Sequence, residues 1–94
     1  MEKYDLYING RWEKPSSRTY FESDNPYDGE IWAKIARGNE KDVDFAVKAA
    51  RNAFEDHWEP MKPTERGKIL VRLAELIERE ATRLGEIEVK DNGK

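Results

Sequence analysis

The chain has 94 residues, and compact domains run to about 100 to 150, so it is one domain or a piece of one, with no room for a cofactor domain beside a substrate domain. Its 17 Lys and Arg against 20 Asp and Glu leave a net charge of −3 with the two signs interspersed, which argues against a nucleic-acid partner. The absence of cysteine excludes disulfides, thiolate metal sites and thiol nucleophiles within these residues, and no apolar run is longer than three residues, as in Ile69-Leu70-Val71, far short of the roughly 20 of a membrane span, so a cytoplasmic protein with no membrane partner is expected.

The first element is a hairpin. Two strand-like runs, Tyr4 to Ile8 and Arg11 to Lys14, flank Asn9-Gly10, a dipeptide suited to the positive-φ turns that join antiparallel strands. A two-residue turn there sets Tyr7 opposite Trp12 on one face and puts Leu6 and Ile8 on the other. Both faces are apolar, so something larger is expected to cover the hairpin.

A second strand pair follows the loop Pro15-Ser16-Ser17, running from Arg18 to Asp24 and from Glu30 to Arg37. Pro26 cannot donate to a ladder and Gly29 tolerates positive φ, so residues 25–29 read as the reversal. Ile31, Ala33 and Ile35 alternate with Trp32 and Lys34, the period of a strand. The hairpins together occupy residues 1–37.

A helix is expected over 39–57. Asn39 can accept a bond from a free amide of the first turn, Glu40 and Asp42 suit its positive end, and Val43, Val47, Ala50 and Phe54 form a stripe. Pro60 and Pro63 bracket a linker, with Pro63 placed for the first turn of the next helix. Residues 63–92 read as one helix or a kinked pair with the break near Arg79 to Thr82. Its apolar face is Ile69, Leu70, Leu73, Leu76 and Ile77, prolonged by Ala81, Leu84 and Ile87, and Asp91-Asn92-Gly93 is its stop signal. Two hairpins followed by two to three amphipathic helices make an α+β segment.

Little in the sequence carries chemistry. The six glycines never take the spacing of a nucleotide or dinucleotide loop, so no residue is assigned to cofactor binding. His57 is the only histidine and suits a helix end, and the charges of Arg72, Glu75, Glu78, Arg79, Glu80 and Arg83 read as a solvated helix face with i,i+4 pairs. Trp12, Trp32 and Trp58 lack a basic groove and read as packing residues. No catalytic residue is assigned.

Several strings, in order, do resemble a known family. They are Tyr7-Ile8-Asn9-Gly10-Arg11-Trp12, Asn25-Pro26 with Asp28-Gly29-Glu30-Ile31, the helix from Asp42 to Phe54 followed by Trp58, Pro63-Thr64-Glu65-Arg66-Gly67, Leu73 to Glu78, and Asp91-Asn92-Gly93-Lys94. This succession resembles the amino-terminal segment of aldehyde dehydrogenases and covers nearly all of the chain. The resemblance implies a place within the Rossmann-like α/β cofactor domain of a much longer protein. That protein would bind NAD or NADP, oxidise an aldehyde to an acid through a cysteine thiohemiacetal and hydride transfer, and form a homo-oligomer. The cysteine, glutamate and asparagine that the chemistry needs lie outside these residues. The isolated segment is expected to be inactive, to bind no cofactor, and to serve as a scaffold whose partner is the remainder of the chain.

The resemblance also implies a monovalent cation site, potassium or sodium, with Ser23, Asp24 and Asp91 among its contributors. Ser23 stands where threonine is common and Asp24 where an apolar residue is common, and neither change matters if the ligands there are main-chain carbonyls. Two other readings compete with the family segment. One is a self-standing interaction module that presents its helix stripes to a partner protein. The other is a membrane-surface helix from Glu65 to Leu84, favoured by Lys68, Arg72, Arg79 and Arg83 and opposed by an equal set of glutamates, Glu65, Glu75, Glu78 and Glu80.

Overall fold

The computed structural model describes residues 1–93 as five strands and three α-helices. The strands are β1 (Glu2–Tyr4), β2 (Leu6–Ile8), β3 (Arg11–Glu13), β4 (Tyr20–Asp24) and β5 (Ile31–Ala36), and the helices α1 (Glu40–Ala53), α2 (Pro63–Arg79) and α3 (Ala81–Asn92).

The first hairpin forms between β2 and β3 about Asn9 (φ 55°) and Gly10 (φ 78°), with Tyr7 opposite Trp12 as the turn requires. Their rings stack at 5.0 Å. The strand expected over Tyr4 to Ile8, however, breaks at Asp5. Its first half is a separate strand, β1, which leaves the hairpin and lies parallel to β5, giving a three-stranded sheet ordered β1-β5-β4. The corner is fastened by side chains. The Tyr20 hydroxyl donates to Asp5 Oδ1, and Lys3 Nζ lies 4.2 Å from the centre of the Tyr20 ring.

β4 and β5 form the second hairpin. Its first strand starts at Tyr20 and not at Arg18. Arg18 takes a left-handed conformation (φ 59°) at the end of a turn in which its N–H donates to the Pro15 carbonyl at 2.9 Å. The reversal is built from polar side chains: Asn25 Oδ1 accepts from Tyr27 N, Asp28 Oδ1 accepts from Glu30 N, and Asn25 and Glu30 close it through the main chain at 2.8 Å.

Helix α1 opens on a reciprocal cap. Asp42 N donates to Asn39 Oδ1, and Asn39 N donates to Asp42 Oδ2, both at 3.1 Å. The Asp42 carboxylate also accepts from Ser16 N at 3.1 and 3.2 Å, and Ser16 Oγ donates to Asn39 Oδ1 at 3.0 Å. One carboxylate thus ties the loop after the first hairpin to the start of α1, next to the fully buried Pro15. At its other end α1 widens into a π-type turn over Phe54–Trp58, closed by Glu59 N donating to the Phe54 carbonyl at 2.7 Å, so helical conformation runs past the expected end near residue 57.

Pro63 occupies the first turn of α2, where its missing N–H costs nothing. The break expected near Arg79 falls at Glu80 (φ −99°, ψ 13°), and α3 closes on Gly93 in the left-handed region (φ 72°). The charged face pairs at i,i+3, through Arg72–Glu75 and Glu80–Arg83, and not at the expected i,i+4 spacing. Exposed pairs of this kind add little stability.

The apolar faces of α1 and α2 do not cover one another, although their stripes are complementary in length. Val47 is 61% exposed and Leu70 57%, and Val43, Leu73 and Ile77 are similarly open. The buried apolar core among the described residues is Ile8, Ala33 and Ala36. Dimensions agree with that thin core. The radius of gyration is 16.6 Å, against about 12 Å for a compact fold of this length. The accessible surface is 7658 Å², where a folded monomer of 11.0 kDa would expose about 5,600 Å².

Candidate functional site

The three residues assigned to a cation meet at the far end of the sheet. β4 and β5 run in regular register up to Ser23 opposite Ala33, and the ladder then skips Trp32 so that Asp24 pairs with Ile31. Such a bulge releases main-chain groups from the ladder and bends the strand. Ser23 stands at that irregularity, half-buried, with its Oγ donating to Asp91 Oδ1 at 2.8 Å. Asp91 is exposed on the last turn of α3. The sheet brings Ser23 and Asp91 together, whereas Asp24 ends β4 with an exposed side chain that has no hydrogen-bond or ion-pair partner among the described residues.

Gly93 completes the joint. A Cβ there would lie 3.0 Å from Pro26 Cβ and 3.2 Å from Tyr27 N, and the residue has φ 72°, so both space and conformation call for glycine. The end of α3 therefore seats on the β4–β5 reversal, and Asn92-Gly93 acts as more than a helix stop. Beside the joint is an open cleft of about 330 Å³ whose walls include Tyr4, Trp32, Ile35, Leu84, Ile87 and Asp91. Tyr4 meets Trp32 edge to face at 6.1 Å. The Trp32 indole N–H is buried without an acceptor among the described residues, an arrangement that costs about 1–3 kcal/mol where no further partner arrives.

Nothing else resembles a reaction centre. Among the described residues no three His, Cys, Asp or Glu side chains cluster to hold a metal. Ordinary titration is perturbed at two tyrosines. Tyr20 is held above the usual phenol range by its bond to the Asp5 carboxylate, and Tyr4 by its 2.8 Å bond to Glu2 together with partial burial. Both are structural contacts of β1 and its surroundings. Sequence reasoning missed Asp5–Tyr20 and Ser16–Asp42, the first because nothing local marks it. For the second, the spacing of Asn39 and Asp42 signals the capping box but not the reach to Ser16, 26 positions away.

The comparisons with known proteins agree with this layout. Residues 12–94 match the aldehyde dehydrogenase family. Rat mitochondrial aldehyde dehydrogenase is 45% identical over 91 residues, which are 95% of this chain and 18% of that protein. A (Z)-2-((N-methylformamido)methylene)-5-hydroxybutyrolactone dehydrogenase from Acinetobacter baylyi is 43% identical over the whole chain and 19% of its own length. Among solved structures, a mutant aldehyde dehydrogenase from Bacillus cereus superimposes with a TM-score of 0.93 at 38% identity, covering 99% of this chain and 19% of that one. The Bacillus cereus enzyme in complex with NAD+ gives 0.91 at 37% identity, covering 97% and 19%.

The chain belongs to the aldehyde dehydrogenase family, as its amino-terminal segment. It spans less than a fifth of the length of the relatives it matches. No helix among the described residues is long and apolar enough to cross a membrane. The relatives include mitochondrial enzymes, so family membership by itself does not set a compartment.

Proposed function

We propose that this chain is the opening layer of an NAD(P)-dependent aldehyde dehydrogenase, and that its own part is structural. The observation that carries this reading is the pair of open helix faces. Val43 and Val47 on α1 and Leu70, Leu73 and Ile77 on α2 are spaced as core residues and half or more exposed, on a fold that superimposes on a fifth of a larger enzyme. In the complete protein the remaining polypeptide covers those faces, supplies the cysteine, glutamate and cofactor loops that this segment lacks, and assembles with further copies. NAD, named in the structure of the Bacillus cereus relative, or NADP would be held there.

Within this segment we assign Ser23, Asp24 and Asp91 to a monovalent cation, sodium or potassium. The donor set suits a hard ion of low charge: one carboxylate held by Ser23, with main-chain carbonyls at the register shift beside it. It is incomplete here, and the other ligands would come from the covering polypeptide. The self-standing interaction module is the weaker reading, since it gives no reason for so small a core.

Complementation tests the proposal. The purified chain is mixed with an aldehyde dehydrogenase of the family from which the corresponding segment has been deleted. Recovery of NAD-dependent aldehyde oxidation by the mixture, and by neither part alone, is the expected result. A chain that stays monomeric, unfolds cooperatively and never binds the truncated enzyme would overturn it in favour of the module.

A further inference from the structure

The sequence contains two Asn-Gly pairs, Asn9-Gly10 and Asn92-Gly93, and the fold places them in opposite circumstances. In such a pair the main-chain nitrogen of glycine can attack the asparagine side-chain carbonyl. Ammonia leaves, a five-membered succinimide closes, and water then opens either of its carbonyls, giving aspartate or an isoaspartate whose main chain runs through the side-chain carbon. The net change is an amide plus water giving a carboxylic acid plus ammonia, with no oxidant or cofactor. Glycine is needed because a side chain on the attacking residue crowds the ring.

At Asn92 this reaction is blocked by the fold. Gly93 N donates to the Val89 carbonyl at 2.8 Å, and the glycine itself is wedged against Pro26 and Tyr27, so the attacking nitrogen cannot swing without undocking α3 from the sheet. At Asn9 little stands in the way. Both residues are exposed and no atom comes within 4 Å of a Cβ built at Gly10. In a two-residue turn the closing hydrogen bond uses the flanking residues, here Ile8 and Arg11, which leaves the Gly10 nitrogen out of it. The turn conformation itself must open for attack, and it belongs to a two-stranded sheet of three residue pairs held to the rest of the fold by the buried Ile8, with the turn residues themselves exposed.

We propose that Asn9 is a self-modification site, converting to aspartate and isoaspartate at a rate set by opening of the β2–β3 hairpin, while Asn92 is protected by its seat on the β4–β5 reversal. The isoaspartate form lengthens the turn by one main-chain atom and dissolves the register that sets Tyr7 on Trp12. A carboxyl-methylating enzyme that acts on isoaspartate is the class of reaction that would consume this product.

The experiment ages the complete protein that contains this segment at 37 °C and mildly alkaline pH, digests it with trypsin and follows the peptides holding Asn9 and Asn92 by mass and by enzymatic isoaspartate methylation. Asn9 is expected to convert at least about tenfold faster than Asn92, the ratio set by about 1.4 kcal/mol of difference in opening. In concentrated urea the two rates converge. Trp12→Ala, which removes the ring stack without touching the reacting atoms, speeds Asn9 and leaves Asn92 unchanged. Equal rates in the native chain, faster conversion at Asn92, or a Trp12→Ala chain with an unaltered Asn9 rate would overturn the proposal.

Discussion

Ser23 and Asp91 lie 68 positions apart in sequence and share a 2.8 Å hydrogen bond, the contact that fastens the last turn of α3 to the bulged end of β4. Asp91 therefore has one oxygen engaged and the other open, which separates two variants of the complete enzyme. Asp91→Ala should abolish the extra thermal stability that sodium or potassium gives over a large organic cation, because a bound ion stabilises the native state by mass action. Ser23→Ala, which keeps the main-chain carbonyl and the Asp91 carboxylate but removes the bond that positions the latter, should weaken it without abolishing it. A salt-specific increment that survives Asp91→Ala would remove the cation from this joint.

The Asp42 carboxylate accepts from Ser16 N and Asn39 N, and Asp42→Ala leaves both amides without that partner. Caps of this kind contribute about 1 kcal/mol, and a charged acceptor shared between two elements contributes more, about 1.5–3 kcal/mol. Amide hydrogen exchange at Ser16 and Asn39 should accelerate about tenfold or more, in keeping with that range, while exchange within β5 stays unchanged. Asn39→Ala should expose the Asp42 amide and spare Ser16 N.

Tyr20 gives a test by pH. Its bond to the Asp5 carboxylate needs the phenol proton and raises its folded pKa above the ordinary value near 10. For a raised pKa the folded state holds the proton longer than the unfolded state. The contribution to stability is therefore full below pH about 10 and lost as pH rises through the folded value. Protection of the β1 amides should fall over that alkaline window in the native chain. In Tyr20→Phe it should start lower and keep only the part of the fall that comes from Tyr4, whose phenol is also raised by its bond to Glu2 on β1. A flat profile in the native chain would mean that Asp5–Tyr20 does not hold the corner.

The isolated chain is expected to self-associate or to pack loosely, since it exposes roughly 2,000 Å² more than a compact monomer of its mass would. Sedimentation equilibrium combined with near-ultraviolet circular dichroism of Trp12, Trp32 and Trp58 reads both states. The same preparation should show no NAD-dependent aldehyde oxidation. Turnover proportional to its concentration, in material free of host dehydrogenases, would contradict the structural role.

What was legible in the sequence was what short-range chemistry fixes. Asn9-Gly10 sets the turn and hence Tyr7 opposite Trp12, Asn39 announces α1, and the apolar period gives α2 and α3 with Gly93 at their end. β1 was not legible, because a parallel pairing is decided by a partner about thirty positions away and leaves no local mark at Tyr4 or Asp5. The stripes on α1 and α2 state which side seeks cover but not whether the cover lies within the chain, and Val47 and Leu70 prove open. At the candidate site, Ser23 and Asp91 came from family resemblance, and the fold brings them into contact. The bulge that skips Trp32 had no sequence signal, because the alternation of Ile31, Ala33 and Ile35 is undisturbed there.

The parallel placement of β1 beside β5 also bears on how this segment is made. Glu2 emerges from the ribosome about thirty residues ahead of its partner Ala33, so β1 has no strand to join until β5 has been made. At translation rates of about 5–20 residues per second, that leaves roughly 2 to 6 s in which the first strand waits unpaired. Agents that hold nascent chains would meet it then, and slowing translation between Tyr4 and Ala33 should lengthen that encounter without altering the finished protein.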